Sequence, residues 1–444
     1  MDLQSEENLE QIGKQQNDSS FSSQSDIQDN KLDQYEEEQK QKYQHQFEQF
    51  GLKAEIEACQ QDSKEYINDI SAIYLTESER EIYIHTFKKH LGHILIMVCS
   101  RNQITEIHWI SDELLNKKID KLSDQNQQEN DQIVTRYIHK NRQLACLLRR
   151  VNDQIQAIIG QTDGKILFIN PLTSQCTLEL QFGDNIVDLL LEKHYLIFIT
   201  KSKYISVVDI QTKQIVATSE QMQINSSQNC LEIIERNDRG IKFASGNKGS
   251  AVQIWSLLLQ NNYSKQIEND LQNQSVQMKF MYKLDTLQVW NLTVDCLKYF
   301  KNTKQKNWMT IDYEQRNFDS SILACAGSFY DASMKYIVQI FNWKTKQLLR
   351  IIQDGHKGWV NSLKFFNDQS GYFIVGSADK NTTIYSALSG QIVKRFIEQD
   401  LVVMHALRLL NLNSEQQKQL NLSTNSVCIL GVKDQDKLFI RLIF

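Results

Sequence analysis

A recurring strand–turn–strand motif constrains the fold of this 444-residue chain more than any other feature. Each copy has a short polar residue, Thr or Ser three positions later and Gln five positions later, and each copy follows an apolar run. The copies begin at Asn170, Asp209, Asn342 and Ser386. The first two lie 39 residues apart and the last two 44. A period of about 40–45 residues is typical of a four-stranded propeller blade.

Strand-length apolar runs separated by polar turns continue from about residue 81 to the C-terminus. Ile94–Val98, Ile166–Ile169 and Tyr195–Ile199 are examples. Short runs bounded by turn residues predict strands rather than helices. Their number predicts a large all-β architecture.

The N-terminal part of the chain has a different composition. Residues 1–64 carry 15 acidic and 6 basic side chains, whereas residues 65–444 carry 39 acidic and 43 basic ones. Residues 1–31 contain few large apolar side chains, so we predict a disordered, acidic, Gln/Ser-rich tail. Within residues 32–64, Tyr43, Phe47 and Phe50 share one helical face, which predicts an amphipathic helical segment. Such a helix would dock on its own domain or recruit a partner.

Composition also limits the location and the partners. The acidic start does not resemble a secretory or mitochondrial leader, and the apolar runs are far shorter than the ~20 residues that cross a bilayer. The eight cysteines are scattered without a Cys-x-x-Cys pair, which favours reduced thiols. We therefore expect a cytoplasmic protein, with a nuclear location also open, and no membrane insertion. The nearly neutral body makes nucleic acid an unlikely partner.

One segment has a Gly-His start, a Ser before a turn Asp, and a Tyr-Ser pair. These residues are Gly355, His356, Ser377, Asp379, Tyr385 and Ser386. The pattern resembles a WD40 repeat, in which the family has Trp-Asp in place of the Tyr-Ser pair. The resemblance implies a buried polar network of His356, Ser377 and Asp379, with Tyr385 replacing the family's Trp. A second, worn copy keeps Ser245 and Trp255.

The resemblance implies a seven-bladed β-propeller of four-stranded blades over residues 81–444, preceded by the disordered and helical tail. The expected blades are 88–140, 141–182, 183–220, 228–284, 288–352, 355–397 and 399–444. The last one shows only three strands, and an unpaired edge is a liability. We predict that Glu81–Phe87 supplies its fourth strand and closes the ring.

The sequence contains no pattern that indicates catalysis. It has no nucleophile elbow, phosphate-binding Gly-rich loop or kinase signature. His90 and His93, with His85 and Cys99 nearby, form the one histidine cluster. If these segments are strands the side chains do not converge, so we predict no metal site. We also expect no cofactor and no small-molecule substrate.

WD40 propellers are, as a family, protein-interaction platforms, so we expect a non-catalytic scaffold or a subunit of a multiprotein assembly. In the well-preserved repeat, Trp359 and Asn361 flank the start of the innermost strand. Alignment on the following apolar residues equates Asn361 with Asp188, Glu232, Asp295 and His405. This predicts an acidic ring that suits a basic peptide. The alternative is that short acidic residues satisfy backbone amides at strand bulges.

Two other functions remain open from the sequence. A substrate receptor of a ubiquitin ligase would carry Trp-Asp-x-Arg at a blade end, and the segment that begins at Trp255 lacks both charges. A ribonucleoprotein-associated propeller would need a basic surface. The most suggestive cluster is Lys140, Arg142, Arg149 and Arg150.

Overall fold

A computed structural model of the chain provides the structure. It describes residues 52–57, 67–87, 92–100, 103–110, 112, 134–151, 154–202, 204–219, 228–247, 251–259, 276–285, 289–296, 321–329, 336–358, 360–366, 371–387, 389–397, 403–420, 426–433 and 437–443. The predicted tail of residues 1–31, the aromatic residues Tyr43, Phe47 and Phe50, and Trp359 lie outside the described residues.

Seven four-stranded antiparallel sheets make up the described part of the chain, and we number these blades along the sequence. Blade 1 contains β2 (Ile67–Tyr74), β3 (Ile94–Ser100), β4 (Ile104–Ile110) and β5 (Val134–Ile138). Blade 2 contains β6 (Gln143–Val151), β7 (Gln154–Gln161), β8 (Lys165–Ile169) and β9 (Cys176–Gln181). Blade 3 contains β10 (Ile186–Glu192), β11 (Tyr195–Thr200), β12 (Ile205–Asp209) and β13 (Gln214–Thr218).

The remaining four blades follow the same order. Blade 4 contains β14 (Gln228–Asn237), β15 (Gly240–Asn247), β16 (Ala251–Leu258) and β17 (Gln277–Asp285). Blade 5 contains β18 (Val289–Cys296), β19 (Ile322–Phe329), β20 (Tyr336–Asn342) and β21 (Gln347–His356). Blade 6 contains β22 (Val360–Phe365), β23 (Tyr372–Ser377), β24 (Asn381–Ser386) and β25 (Ile392–Ile397). Blade 7 contains β26 (Val403–Asn411), β27 (Ser426–Lys433), β28 (Lys437–Ile443) and β1 (Leu52–Glu57).

The innermost strand in the ring is the first strand along the chain in blades 1 to 6, and β26 in blade 7. These strands are β2, β6, β10, β14, β18, β22 and β26, and each contacts the next around the ring. β26 also contacts β2, so the ring closes around a central channel. The predicted propeller of four-stranded blades is therefore confirmed. We call the face where the innermost strands begin the strand-start face, and the opposite one the strand-end face.

The strand that closes the ring differs from our prediction. β1 pairs with β28 through Ala54–Ile440 and Glu57–Lys437, so Leu52–Glu57 is the fourth strand of blade 7. These residues lie in the segment 32–64 that was predicted to be helical, and that prediction is wrong for them. The propeller also begins before residue 81, because β1 and β2 precede that position.

The segment predicted to close the ring belongs to a helix, α1 (Glu77–Phe87), on the strand-end face. Thr76 and Glu79 cap its first turn: the Thr76 backbone N–H donates to Oε2 of Glu79 at 2.7 Å. Tyr83 and Phe87, four residues apart, pack against Trp109. Ile82 and Ile84 alternate with polar residues as they would in a strand. The capping residues Thr76 and Glu79 and the i, i+4 pair of Tyr83 and Phe87 instead favour a helix.

The repeated motif has a clear structural cause. In three copies a side-chain oxygen at the end of the blade's third strand accepts backbone N–H groups two and three residues later: Asn170, Asp209 and Asn342 do so at distances of 2.8–3.4 Å. Ser386 accepts the N–H of Ser389 at 3.3 Å. In every copy the fifth residue has positive φ, namely Ser174, Lys213, Lys346 and Gly390. The motif is thus a turn device, because Asx side chains substitute for a backbone acceptor in tight turns.

Candidate functional site

The polar network that the WD40 resemblance implies joins the end of β21, in blade 5, to blade 6. Nδ1 of His356 lies 3.1 Å from Oδ2 of Asp379, which also accepts the Lys357 backbone N–H at 2.8 Å. Burial opposes ionisation of Asp379, but the hydrogen bond and charge of His356 outweigh it and lower the pKa of Asp379 to about 2. The Ser377 hydroxyl donates to the Gly358 carbonyl at 3.0 Å. These bonds fix the approach to β22.

Tyr385 is buried at the centre of this network but bonds differently from the family's Trp. Its ring stacks on Phe373 and lies edge-on to His356. Its hydroxyl lies against Gly355, where a Cβ would come within 2.3 Å of the oxygen. In blade 4, by contrast, Nε1 of Trp255 donates to the Ser245 hydroxyl at 3.1 Å.

Two carboxylates at the strand-start face join neighbouring blades in the same way. Asp188 accepts the N–H of Leu189 at 2.8 Å and that of Leu231, in the next blade, at 2.6 Å. Asp69 accepts the N–H of Ile70 at 2.8 Å and that of Cys146, again in the next blade, at 2.8 Å. Each carboxylate therefore ties β10 to β14 or β2 to β6.

Asp188 also has an unusual acidity. Burial first, and the negative charge of Asp69 second, raise the pKa of Asp188 to about 7 from the ordinary 3.8. The N–H groups of Leu231 and Leu189 and the Lys364 ammonium act in the opposite direction. Asp188 therefore changes its charge close to neutral pH.

An ion pair spans the channel between two blades that are not neighbours. Nζ of Lys364, on β22, lies 3.1 Å from Oε2 of Glu232, on β14, and β18 stands between these strands. Both side chains are largely buried. The pair therefore occupies channel space.

The strand registers separate the residues that the acidic-ring hypothesis grouped together. Asn361 and His405 are the extra residues of bulges in β22 and β26. Asp188 lies one position after the bulge of β10. Glu232 and Asp295 lie three positions beyond the bulges of β14 and β18, and Lys364 lies three positions beyond Asn361 in β22. Glu232 and Asp295 therefore correspond to Lys364 rather than to Asn361. The five described residues of this hypothesis therefore do not lie at one level of the channel. The contacts of Asp188 favour the alternative that acidic side chains satisfy backbone amides.

The register instead identifies a ring that the sequence alignment missed. In six innermost strands a single bulged residue near the strand-start face is left out of the ladder. This bulge ring consists of Asn68, Leu144, Val187, Asn229, Asn361 and His405. None of them is Asp or Glu, so the ring is polar and apolar rather than acidic. The alignment failed because a bulge adds one residue, which periodicity in the sequence does not reveal.

The basic cluster considered for RNA is divided between the two faces. Arg142 precedes β6 and Arg150 lies near its end, so they are separated by the length of that strand. Nε of Arg150 lies 2.7 Å from Oε1 of Glu79, and its Nη2 donates to the Tyr74 carbonyl at 2.6 Å. Arg150 therefore holds α1 on blade 2.

His93 is bound on both sides by carboxylates. Its Nε2 lies 2.7 Å from Glu77 and its Nδ1 lies 2.8 Å from Asp112, and its ring stacks on that of Tyr74.

Within the described ranges no group of three or more His, Cys, Asp or Glu residues could hold a metal ion. No described helix is long and apolar enough to cross a membrane.

The blades, the ring and the network of His356 and Asp379 together define the WD40 β-propeller fold. The crystal structure of the WD40 β-propeller domain of Doa1 is similar to this chain, with a TM-score of 0.53 and 13% sequence identity. The similarity covers 88% of this chain and 96% of that domain. No family model matches the sequence, and no curated protein matches it either.

Proposed function

We propose that this protein is a non-catalytic scaffold that binds another protein on its strand-start face. The bulge ring is the observation that carries this proposal. A bulged residue leaves the ladder and re-aims its side chain. Six of the seven innermost strands present such a residue at the same end of the channel.

The chemistry of the ring indicates the kind of partner. Three of its members are Asn and one is His, which donate and accept hydrogen bonds without a fixed charge. Leu144 offers apolar contact, whereas Val187 packs partly against the core between blades 3 and 4. Asn68, Leu144, Val187 and Asn361 are partly exposed. We propose an uncharged peptide segment or loop as the ligand, because Asp188 and Glu232 are engaged by the propeller itself.

The location that we propose is the cytoplasm or the nucleus. The described cysteines Cys99, Cys146, Cys176, Cys230 and Cys325 are free thiols. Free thiols suit a reducing compartment.

Co-purification with the tagged full-length chain tests the function. We expect a stoichiometric partner that is lost from the double variant Leu144→Ala, Asn361→Ala. The matched control, Gln214→Ala with Ile215→Ala on the exposed outer strand β13, should keep it. Loss from both variants, or retention by both, contradicts the proposal. Nuclease-sensitive association would indicate a ribonucleoprotein instead.

A further inference from the structure

The strand-end face of blades 3 to 5 carries a group of exposed cations at its turns. We call Lys193, Lys213, Arg239, Lys344 and Lys346 the basic turns. The register places them at one end, because each lies in a turn that follows the end of its strand at that face. All five side chains are exposed.

The carboxylates in this sector are largely engaged by other groups. Glu192 pairs with Arg236 at 2.8 Å, and Glu235 pairs with Lys242 at 2.7 Å. Asp209 is buried and caps its own turn. None of the basic turns forms an ion pair with a residue that the structure describes. Asp238, beside Arg239, is a further exposed carboxylate of these turns. Among the described residues the five cations of the basic turns outnumber it, so the described part of this sector is positively charged.

Two of these cations lie on aromatic rings. Nζ of Lys344 lies 5.5 Å from the centre of the Trp343 ring, and Nζ of Lys346 lies 4.4 Å from that of Tyr282. Such contacts hold an ammonium at a fixed place while it stays available to an anion.

A strongly acidic segment of the same chain starts from this face. Residues 1–51 contain twelve acidic and four basic side chains, a net charge of −8. They precede Leu52, which pairs with Arg441 of β28. At the same end of β28, Ile443 pairs with Ser426 of β27. Ser426 in turn pairs with Asn411, the last residue of β26, so this end of β28 lies at the strand-end face. The acidic segment is thus tethered on the strand-end face.

The segment is long enough to reach the basic turns. Four strands at ~4.8 Å spacing make a blade about 15 Å wide, so the ring is roughly 40 Å across. A chain of 51 residues can span at most about 170 Å when fully extended, which exceeds this distance several-fold. Around the tether, by contrast, α1 exposes Glu81, which repels an acidic chain, whereas Glu77 is paired with Arg80 and His93.

We infer that the acidic residues 1–51 bind the basic turns of their own propeller and cover blades 3 to 5 of the strand-end face. Each exposed ion pair is weak. The tether nevertheless gives the segment an effective concentration in the millimolar range at this surface. This intramolecular contact is independent of the proposed partner on the opposite face.

Lysine reactivity in the full-length protein tests the inference. Acetylation by a small reagent, followed residue by residue by mass spectrometry, should be several-fold slower at Lys193, Lys213, Lys344 and Lys346 in low salt than in high salt. A variant with the Asp and Glu residues of segment 1–51 changed to Asn and Gln should lose this protection. The matched controls are Lys201, Lys357 and Lys380, exposed lysines on the strand-start face.

Zero-length carbodiimide cross-linking gives a second readout on the same protein. Cross-links from carboxylates of residues 1–51 to Lys193, Lys213, Lys344 or Lys346, but not to the three control lysines, support the inference. Equal reactivity of the basic turns in both proteins overturns it. Protection that falls on dilution also overturns it, because the occupant would then be a second molecule.

Discussion

Replacement of Asp188 by Asn separates the two roles of this carboxylate. The amide keeps one oxygen that can accept the Leu231 or Leu189 N–H, so the tie between blades 3 and 4 is retained in part. The charge is removed. The change therefore isolates the free energy of ionising Asp188 within the channel wall.

The magnitude follows from the pKa. Burial and the charge of Asp69 raise the pKa of Asp188 to about 7, against 3.8 in an unfolded chain. Between these values the folded protein holds a proton that the unfolded chain has released, so stability falls as pH rises through this window. The slope is ~1.4 kcal/mol per pH unit, or ~4 kcal/mol in total. The Asp188→Asn variant lacks this pH dependence, since the amide does not titrate.

Urea unfolding of the wild type and the variant measures this contribution. Between about pH 5 and about pH 8, the free energy of unfolding of the wild type should fall by ~3 kcal/mol relative to that of Asp188→Asn. Asp69→Asn in the wild-type background should reduce that loss, because the Asp69 charge helps to raise the pKa of Asp188. Asp184→Asn is the matched control.

The pKa of the control residue Asp184 is shifted in the direction opposite to that of Asp188. Burial raises the pKa of Asp184, but the hydrogen bonds from Ser202 outweigh it, and the net pKa lies below the ordinary value. Its stabilising effect is lost only as pH falls below this range, so the difference in unfolding free energy between wild type and Asp184→Asn should stay constant between about pH 5 and about pH 8. If the difference in unfolding free energy between wild type and Asp188→Asn stays constant across the same pH range, the reasoning is refuted.

Three further predictions concern the blades. Gly355→Ala should destabilise blade 6, because its Cβ would come within 2.3 Å of the Tyr385 hydroxyl, and Tyr385→Phe should relieve part of the loss in thermal denaturation. Ser245→Ala should cost ~1–3 kcal/mol in urea unfolding because it leaves the buried Trp255 Nε1 without its acceptor, and an unchanged midpoint would contradict that bond. Deletion of residues 1–64 should lower the melting temperature well below that of the protein lacking residues 1–51, because only the longer deletion removes Leu52–Glu57; equal melting temperatures of the two deletion variants would contradict closure by β1.

The sequence predicted the blades because their information is local. The residues Asn170, Asp209 and Asn342 act within three positions of themselves, so the repeat shows directly where a strand ends and a turn begins. The WD40 fold followed from the spacing of these turns and from His356, Ser377 and Asp379. These residues are also near one another in sequence, across one hairpin.

Tertiary structure alone decided the ring closure and the composition of the site. Leu52 and Arg441 are adjacent only because the ring brings the chain ends together, and the strand propensity of either segment does not reveal its partner. Likewise Lys364 and Glu232 meet across the channel although 132 residues separate them. A bulge shifts the register by one residue. The sequence alignment therefore predicted Asp188 as the ring residue of β10, whereas the structure has Val187 at that position. Contacts between distant residues depend on closure and register, which are properties of the assembled sheet rather than of any local segment.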